Sequence, residues 1–386
     1  MKKNRLMSPG PTPVPEEVLL RAASPIIHHR TPQFRSILKG VNAKLKKVFD
    51  TRNPVLIFGS SGTGAMEAGV VNFLSAGDRA IVINGGKFGG RFSEICRGYN
   101  VDPIEYNVEW GEAADPDVLK RLLKENPGVK AVFGTLCETS TGVVNDIRAI
   151  GEAVSGTGAL LVIDAISGLG ADEFHPDAWG VDVVVGGSQK GLMTPPGLSF
   201  LSISPRAEEM LKRSGLPKYY FDAGSALRSY DSDDTPWTPS ISLIAGLDSA
   251  LGMILDEGMK TVIARHAHMA RATREAVREM GLDLFAKAPS NAVTAVKVPE
   301  DIDGEALLKE LRDGQGITVA GGQGAYKGKI FRIGHLGNMD DYDIICVLAG
   351  LEMALCRAGF ELELGRGVAR AEEVFTQLPE KCGRAI

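Results

Sequence analysis

The chain has 386 residues, a formal net charge of −5 and a 44% hydrophobic fraction. That length leaves room for two or three domains and for a core able to hold a buried cofactor. A mildly acidic balance with no basic stripe argues against nucleic acid as a partner. The five cysteines (Cys96, Cys137, Cys346, Cys356, Cys382) lack CxxC spacing and suggest neither a disulfide framework nor a zinc site.

Lys2, Lys3 and Arg5 begin the chain, but Pro9, Pro11, Pro13 and Pro15 follow where a signal peptide would need an apolar stretch. No run is long enough to span a bilayer, so a cytoplasmic protein is expected. The proline-rich start reads as an extended arm, taken as residues 1–20.

From Pro54 to about Ser204, short apolar runs alternate with amphipathic stretches. Strands are expected at Val55–Phe58, Ala80–Ile83, Ala131–Thr135, Leu160–Ile163, Asp182–Val185 and Leu198–Ile203. Helices are expected between them at Thr63–Leu74, Phe88–Tyr99, Pro116–Glu125 and Asp146–Ser155. This alternation predicts an α/β fold, a doubly wound and mostly parallel sheet with helices on both faces. Residues 205–240 lose periodicity and read as a long surface excursion. A helical pattern then runs from Ile241 to about Met280, broken at Gly258. Beyond it, strand, helix, strand and helix at Ala292–Val298, Gly304–Arg312, Lys329–Ile333 and Tyr342–Ala358 predict a smaller α+β unit. The expected division is a large unit over 21–257 and a small C-terminal one over 258–386. Its charged last residues, from Arg366, are expected to fray or to form an exposed helix.

Within this frame, Lys190 ends the apolar run that begins at Val181. Desolvation at such a position disfavours the ammonium and lowers its pKa, giving a nucleophilic amine of the kind that forms Schiff bases. A lysine that snorkels to solvent is the plain alternative. Gly59-Ser60-Ser61-Gly62-Thr63-Gly64 joins a strand to a helix, where glycines and free N–H groups favour a phosphate. The segment lacks the endings of a nucleotide P-loop or a dinucleotide fingerprint, so a small cofactor phosphate fits better than a nucleotide. Asp164 ends the strand Leu160–Ile163 at the sheet edge where ligands bind; it could hold a pyridine nitrogen protonated or simply cap a following helix. Ile166 or Ala165 would then lie under the ring. Thr139 offers a hydroxyl to the same edge, or belongs to a plain turn. Phe88 could stack on the ring or serve the core. Arg332, inside an apolar strand, calls for a bidentate carboxylate from a substrate or from a structural acid. His335, close by, reads as structural.

Together and in this order, these motifs resemble the class V (fold type I) pyridoxal-phosphate aminotransferases, above all their alanine–glyoxylate and serine–glyoxylate branch. The resemblance runs from Gly10-Pro11-Thr12-Pro13 to the C-terminal helix. It implies that Lys190 binds pyridoxal 5'-phosphate as a Schiff base and that Asp164 pairs with the pyridine nitrogen. It implies that Ser61, Gly62, Thr63 and Gln189 seat the phosphate, that Thr139 meets the phenolic oxygen, and that Arg332 clamps the substrate carboxylate. Phe88 and Ile166 would flank the ring. It further implies a homodimer in which Tyr230, and Thr238 or Thr235, reach the neighbouring subunit's phosphate. Two departures stand out. Phe88 replaces a tryptophan found in many relatives, and Thr63 a histidine frequent in the alanine–glyoxylate enzymes.

The activity so implied is amino transfer from alanine or serine to a 2-oxo acid such as glyoxylate or pyruvate. A cysteine desulfurase or related lyase would share the fold but needs a mobile nucleophilic cysteine, and its relatives usually carry histidine where this chain has Gln189. A non-catalytic accessory protein would have no need of Lys190, Asp164 and Arg332 together.

Overall fold

The computed structural model describes residues 3–377; Lys2 and Cys382 lie outside them. The strands are β1 (Arg5–Leu6), β2 (Val55–Phe58), β3 (Arg79–Asn84), β4 (Asp102–Asn107), β5 (Ala131–Thr135), β6 (Cys137–Glu138) and β7 (Val143–Val144). Then come β8 (Leu160–Asp164), β9 (Val183–Gly187), β10 (Ser199–Ile203), β11 (Val293–Lys297), β12 (Ile317–Thr318), β13 (Ala320–Gly321) and β14 (Ile330–Gly334). The helices are α1 (Glu16–Ala22), α2 (Pro32–Val48), α3 (Gly62–Val71), α4 (Lys87–Gly98), α5 (Pro116–Glu125), α6 (Ile147–Val154) and α7 (Pro205–Leu211). They continue with α8 (Ala223–Tyr230), α9 (Ile241–Glu257), α10 (Met259–Glu279), α11 (Gly304–Lys309), α12 (Asp341–Arg357) and α13 (Arg366–Thr376).

Seven strands form the main sheet in the order β2-β10-β9-β8-β5-β3-β4, parallel except for β10, which runs against both of its neighbours. The side-chain period of two explains why the strands are apolar throughout. Ile81, Val132, Leu161, Ile163 and Val184 face a core shared with α2, α5, α6 and α9. Their neighbours Val82, Phe133, Val162 and Val185 face a second core under α3, α4 and α8. Either face left uncovered would expose a row of branched side chains to water.

A three-stranded sheet, β11-β14-β13, lies in the C-terminal part and shares a third core with α10, α12 and α13. Gly258 ends α9 and starts α10 at φ 86°, a left-handed conformation that costs glycine little. Val262 of α10 still packs in the first core, whereas Met269, Ala272 and Ala276 pack in the third. Buried His266 ties the parts together: its Nδ1 donates to the Gly170 carbonyl (2.8 Å) and its Nε2 accepts from Gly337 N (2.9 Å). Burial holds its pKa down near 4, consistent with a neutral ring serving both bonds.

Four expectations change. The arm ends at Pro15, because Glu16 and Glu17 open α1, whose Val18 is buried; acidic residues in a first turn favour a helix start. Strand β4, unforeseen, pairs only with β3 at the sheet edge, where Pro103 and outward Asp102 and Glu105 are tolerated. Residues 205–240 include α7 and α8, the latter capped by Asp222 on Gly224 N and Ser225 N. Arg366–Thr376 form a helix that is docked, with Gly367, Ala371 and Val374 buried, while residues 378–386 lie outside the described ones.

Helix α13 has Gly365 at its N-cap and no local side chain to cap it. Glu352 of α12, 2% exposed, does so from a distance, accepting from Gly365 N (2.6 Å), Gly367 N (2.7 Å) and Val368 N (3.3 Å). Replacing Glu352 by Ala strands these donors, so unfolding free energy should fall by about 1–3 kcal/mol. A lower midpoint in denaturant is the expected result. An unchanged midpoint would contradict the cap.

Candidate active site

Chain ends converge at the carboxyl edge of the parallel strands. Asp164 is the last residue of β8, in register with Thr135 of β5 and Val185 of β9. Lys190 follows β9 through the turn Ser188-Gln189, α3 starts just after β2, and α4 just after β3. Together they border a cavity of about 270 Å³. It brings together Ser61, Gly62, Thr63, Phe88, Thr139, Asp164, Ile166, Gln189 and Lys190, all expected from the sequence.

The side chain of Lys190 does not snorkel. The residue is 8% exposed, and its Nζ donates to the Pro9 carbonyl at 2.7 Å. Burial pushes its pKa down to about 8. Gly10 packs alongside at φ 148°, and a Cβ there would displace the end of the Lys190 side chain. Thr12 fixes the loop from the other side, its Oγ1 donating to the Lys190 carbonyl at 3.0 Å.

Asp164 experiences the opposite pull: burial raises its carboxyl to about 7, against the Ile166 N–H that donates to Oδ1 at 2.8 Å. It therefore serves a local turn and faces the cavity at once. Ser61 is the N-cap of α3 and makes no side-chain cap bond. A Cβ on Gly62 would overlap Ile166, so only glycine leaves this helix start open beneath that side chain. Gln189 Oε1 is buried without a hydrogen-bond partner; rotating the amide would present its NH₂ at the same place.

Phe88 lines the cavity near the start of α4, and the Arg91 guanidinium lies 4.9 Å from its ring centre. Arg91 also donates to Thr63 Oγ1 at 3.1 Å. Thr139 Oγ1 donates to Ser167 Oγ at 2.5 Å. Arg332, 5% exposed, makes no ion pair with an acid among the described residues, although the charge of Glu138 acts on it. Its Nη1 donates to the Thr139 carbonyl (2.8 Å), and its Nε and Nη2 to the Gly321 carbonyl (3.1 and 2.7 Å). The guanidinium keeps further N–H groups for a carboxylate.

Three expected residues do not line this cavity within the chain: Arg332, which lies beside it on the Thr139 carbonyl, Tyr230 and Thr238. Tyr230 is half-buried beside the second core, its hydroxyl pushed up to about 12 by burial. Thr238 lines a separate crevice with Thr235, Gly59 and Tyr220. His335 is structural as expected, with Nδ1 on the Asn291 carbonyl and Nε2 on Thr294 Oγ1, both at 2.8 Å. The reading from sequence missed Arg91, Ser167, Gly10 and the Pro9 carbonyl. Arg91 and Ser167 each stand three residues after a recognised one, but nothing local signals that the distant arm reaches Lys190.

A family model for aminotransferase class-V matches residues 6–361. The chain belongs to the class-V aminotransferases. It is 44% identical to a protein named soluble hydrogenase, small subunit, from Synechococcus sp., over 97% of this chain and 99% of that one. It is 37% identical to the L-aspartate–glyoxylate aminotransferase of Paracoccus denitrificans, over 97% of both chains. The crystal structure of pyridoxamine–pyruvate aminotransferase from Mesorhizobium loti superposes with a TM-score of 0.92 at 31% identity, covering 97% of this chain and 98% of that one. The fold is fold type I, and this class-V aminotransferase is a pyridoxal-phosphate-dependent transaminase. The cavity fits that cofactor: an uncapped helix start for a phosphate, a buried carboxyl for a ring nitrogen, and a low-pKa amine for an aldehyde. Among the described residues no cysteine lines it, and no helix is long and apolar enough to cross a membrane.

Asp164 carries a stability cost with a definite pH window. Its folded-state pKa of about 7 lies above the ordinary 3.8, so ionisation opposes folding increasingly from pH 3.8 to 7 and fully above. Asp164→Asn should therefore raise the melting temperature of the cofactor-free protein by several degrees at pH 8, with the gain shrinking towards pH 4. A gain independent of pH would show that the carboxyl titrates normally.

Proposed function

We propose that this aminotransferase moves the amino group of a small amino acid, alanine or serine, to a two- or three-carbon 2-oxo acid such as glyoxylate or pyruvate. One observation carries this reading: a buried amine of lowered pKa shares its cavity with a buried carboxyl and an open helix start. The names of two relatives, an L-aspartate–glyoxylate and a pyridoxamine–pyruvate aminotransferase, point to the same acceptors.

Pyridoxal phosphate, when bound, supplies an electron sink for the carbanion character that develops at the substrate Cα. The remaining work belongs to the chain. Ser61, Gly62, Thr63 and Gln189 hold the phosphate, Thr139 the phenolic oxygen, and Phe88 and Ile166 keep the ring plane. Asp164 would hold the ring nitrogen, and a cation beside it would favour the ionised form that burial disfavours. Arg332 turns its remaining N–H groups to the substrate carboxylate. Lys190 Nζ, about half neutral at pH 8, would take the Cα proton and return it one bond away as general base and acid.

The assembly in this reading is a cytoplasmic homodimer whose Tyr230 and Thr238 (or Thr235) reach the neighbouring subunit's site, which accounts for their distance from Lys190 within one chain. Two units meeting at Gly258 complete it, with Arg332 supplied by the C-terminal one.

Lys190→Ala should lower transamination at least about 10²-fold, the contribution of a positioned base alone, measured with alanine, serine and aspartate against glyoxylate, pyruvate and 2-oxoglutarate. Turnover near the wild-type rate would overturn the assignment of Lys190. A specificity constant highest for aspartate would overturn the small neutral donor.

A further inference from the structure

Glu138 is a buried carboxylate that the reaction does not use. It is 1% exposed, ends β6, and among the described residues makes no ion pair, although its charge is felt by Arg332. Its oxygens are instead occupied by a helix start. Oε2 accepts from Phe88 N (3.1 Å) and Gly89 N (2.8 Å), and Oε1 from Phe88 N and Ser140 N, both at 3.2 Å. Ser140 Oγ donates to Oε1 as well and accepts from Lys87 N at 2.9 Å. The next amide, Gly90 N, reaches the Gly86 carbonyl at 3.0 Å. The orphan donors at the start of α4 are thus met mainly by a neighbouring segment, with a negative charge at the positive end of the helix.

The local alternative is sterically closed. Gly86 is the N-cap and offers no side chain, and a Cβ there would overlap Ser140 Oγ and the Glu138 carboxyl. Phe88 is the residue whose amide meets both carboxylate oxygens, and its ring borders the Lys190 cavity.

We propose that Glu138 is a positioning residue of the cofactor site, which fixes the backbone of Phe88 and thereby the plane its ring presents to the cofactor. This rests on the reading of Phe88 as the stacking residue. Removing the carboxylate moves Phe88 through two amide bonds, whereas its charge acts in the other direction: Glu138 holds the Asp164 carboxyl up, so neutralising it would by itself favour ionised Asp164. A loss of cofactor affinity in Glu138→Gln is therefore a loss of position and not of charge.

The test is a double-mutant cycle on the purified full-length protein. Glu138→Gln, Phe88→Leu and the double variant are titrated with pyridoxal phosphate by absorbance, and the visible circular dichroism of the bound cofactor is recorded. Melting temperatures confirm that each variant is folded at the titration temperature. Each single change should raise Kd about tenfold, the scale of one charge-assisted hydrogen bond, and change the dichroic band. In the Phe88→Leu background, Glu138→Gln should add less than twofold. Full multiplication of the two effects, or an unchanged dichroic band in Glu138→Gln, would overturn the inference. An unchanged Kd in Phe88→Leu alone would instead remove the stacking role, and the inference with it. Should Glu138→Gln fail to fold, Ser140→Ala loosens the same cap and must show the same direction and the same non-additivity.

Discussion

An amine buried at the end of a central strand dictates much of what surrounds it. Water is a far better solvent for an ammonium than a protein interior is, so burial alone drives Lys190 towards its neutral form. The chain offers a single carbonyl, that of Pro9, and leaves room for the side chain by having no Cβ at Gly10. Asp164 is pushed the other way by the same dryness. Each buried group thus has its titration shifted towards neutrality, the amine downwards and the carboxyl upwards. A cofactor bringing a ring cation and an aldehyde relieves both strains at once, which is a physical reason for the cavity to prefer it.

The carboxyl edge of a parallel sheet makes this arrangement possible. Strands β2, β3, β5, β8 and β9 all end there, and each hands over to a turn or helix start within a few residues. Backbone N–H groups and polar side chains can then converge without crossing the apolar layers on either face. The C-terminal part reaches the same edge by two routes. Arg332 extends from β14 to the Thr139 carbonyl, and the N-terminal arm pairs with β12 before delivering Pro9 to Lys190.

The fold was legible wherever burial on both faces left an unbroken apolar run, as in Leu160–Ile163 or Ala131–Thr135. It was illegible at β4, whose edge position tolerates Pro103 and charged side chains, and in α7 and α8, where short amphipathic turns are interrupted by Pro and Gly. Lys190, Asp164 and the Gly62 turn were visible because each is an anomaly of local pattern, a charge after a buried strand or small residues before a helix. The Pro9 carbonyl was not, since any residue carries one and its partner lies 181 positions away. Arg332 was read correctly as a buried cation, yet its present partners are carbonyls, which no sequence pattern can announce.

The two acidic caps show how the same physics serves different ends. Glu352 and Glu138 each lie across from a helix whose N-cap is glycine, and each carboxylate takes backbone amides of the first turn. A serine or aspartate at the cap would form this bond within the chain segment itself, before tertiary structure exists. Placing the acid elsewhere makes the helix start conditional on docking. For α13 that condition secures a terminal helix against α10. For α4 it requires the β5–β6 segment to be seated beside β3, so the ring of Phe88 reaches its position only once the strands that supply Asp164 and Thr139 are also in place. The geometry of the cavity is then a property of the assembled sheet edge, not of any one loop.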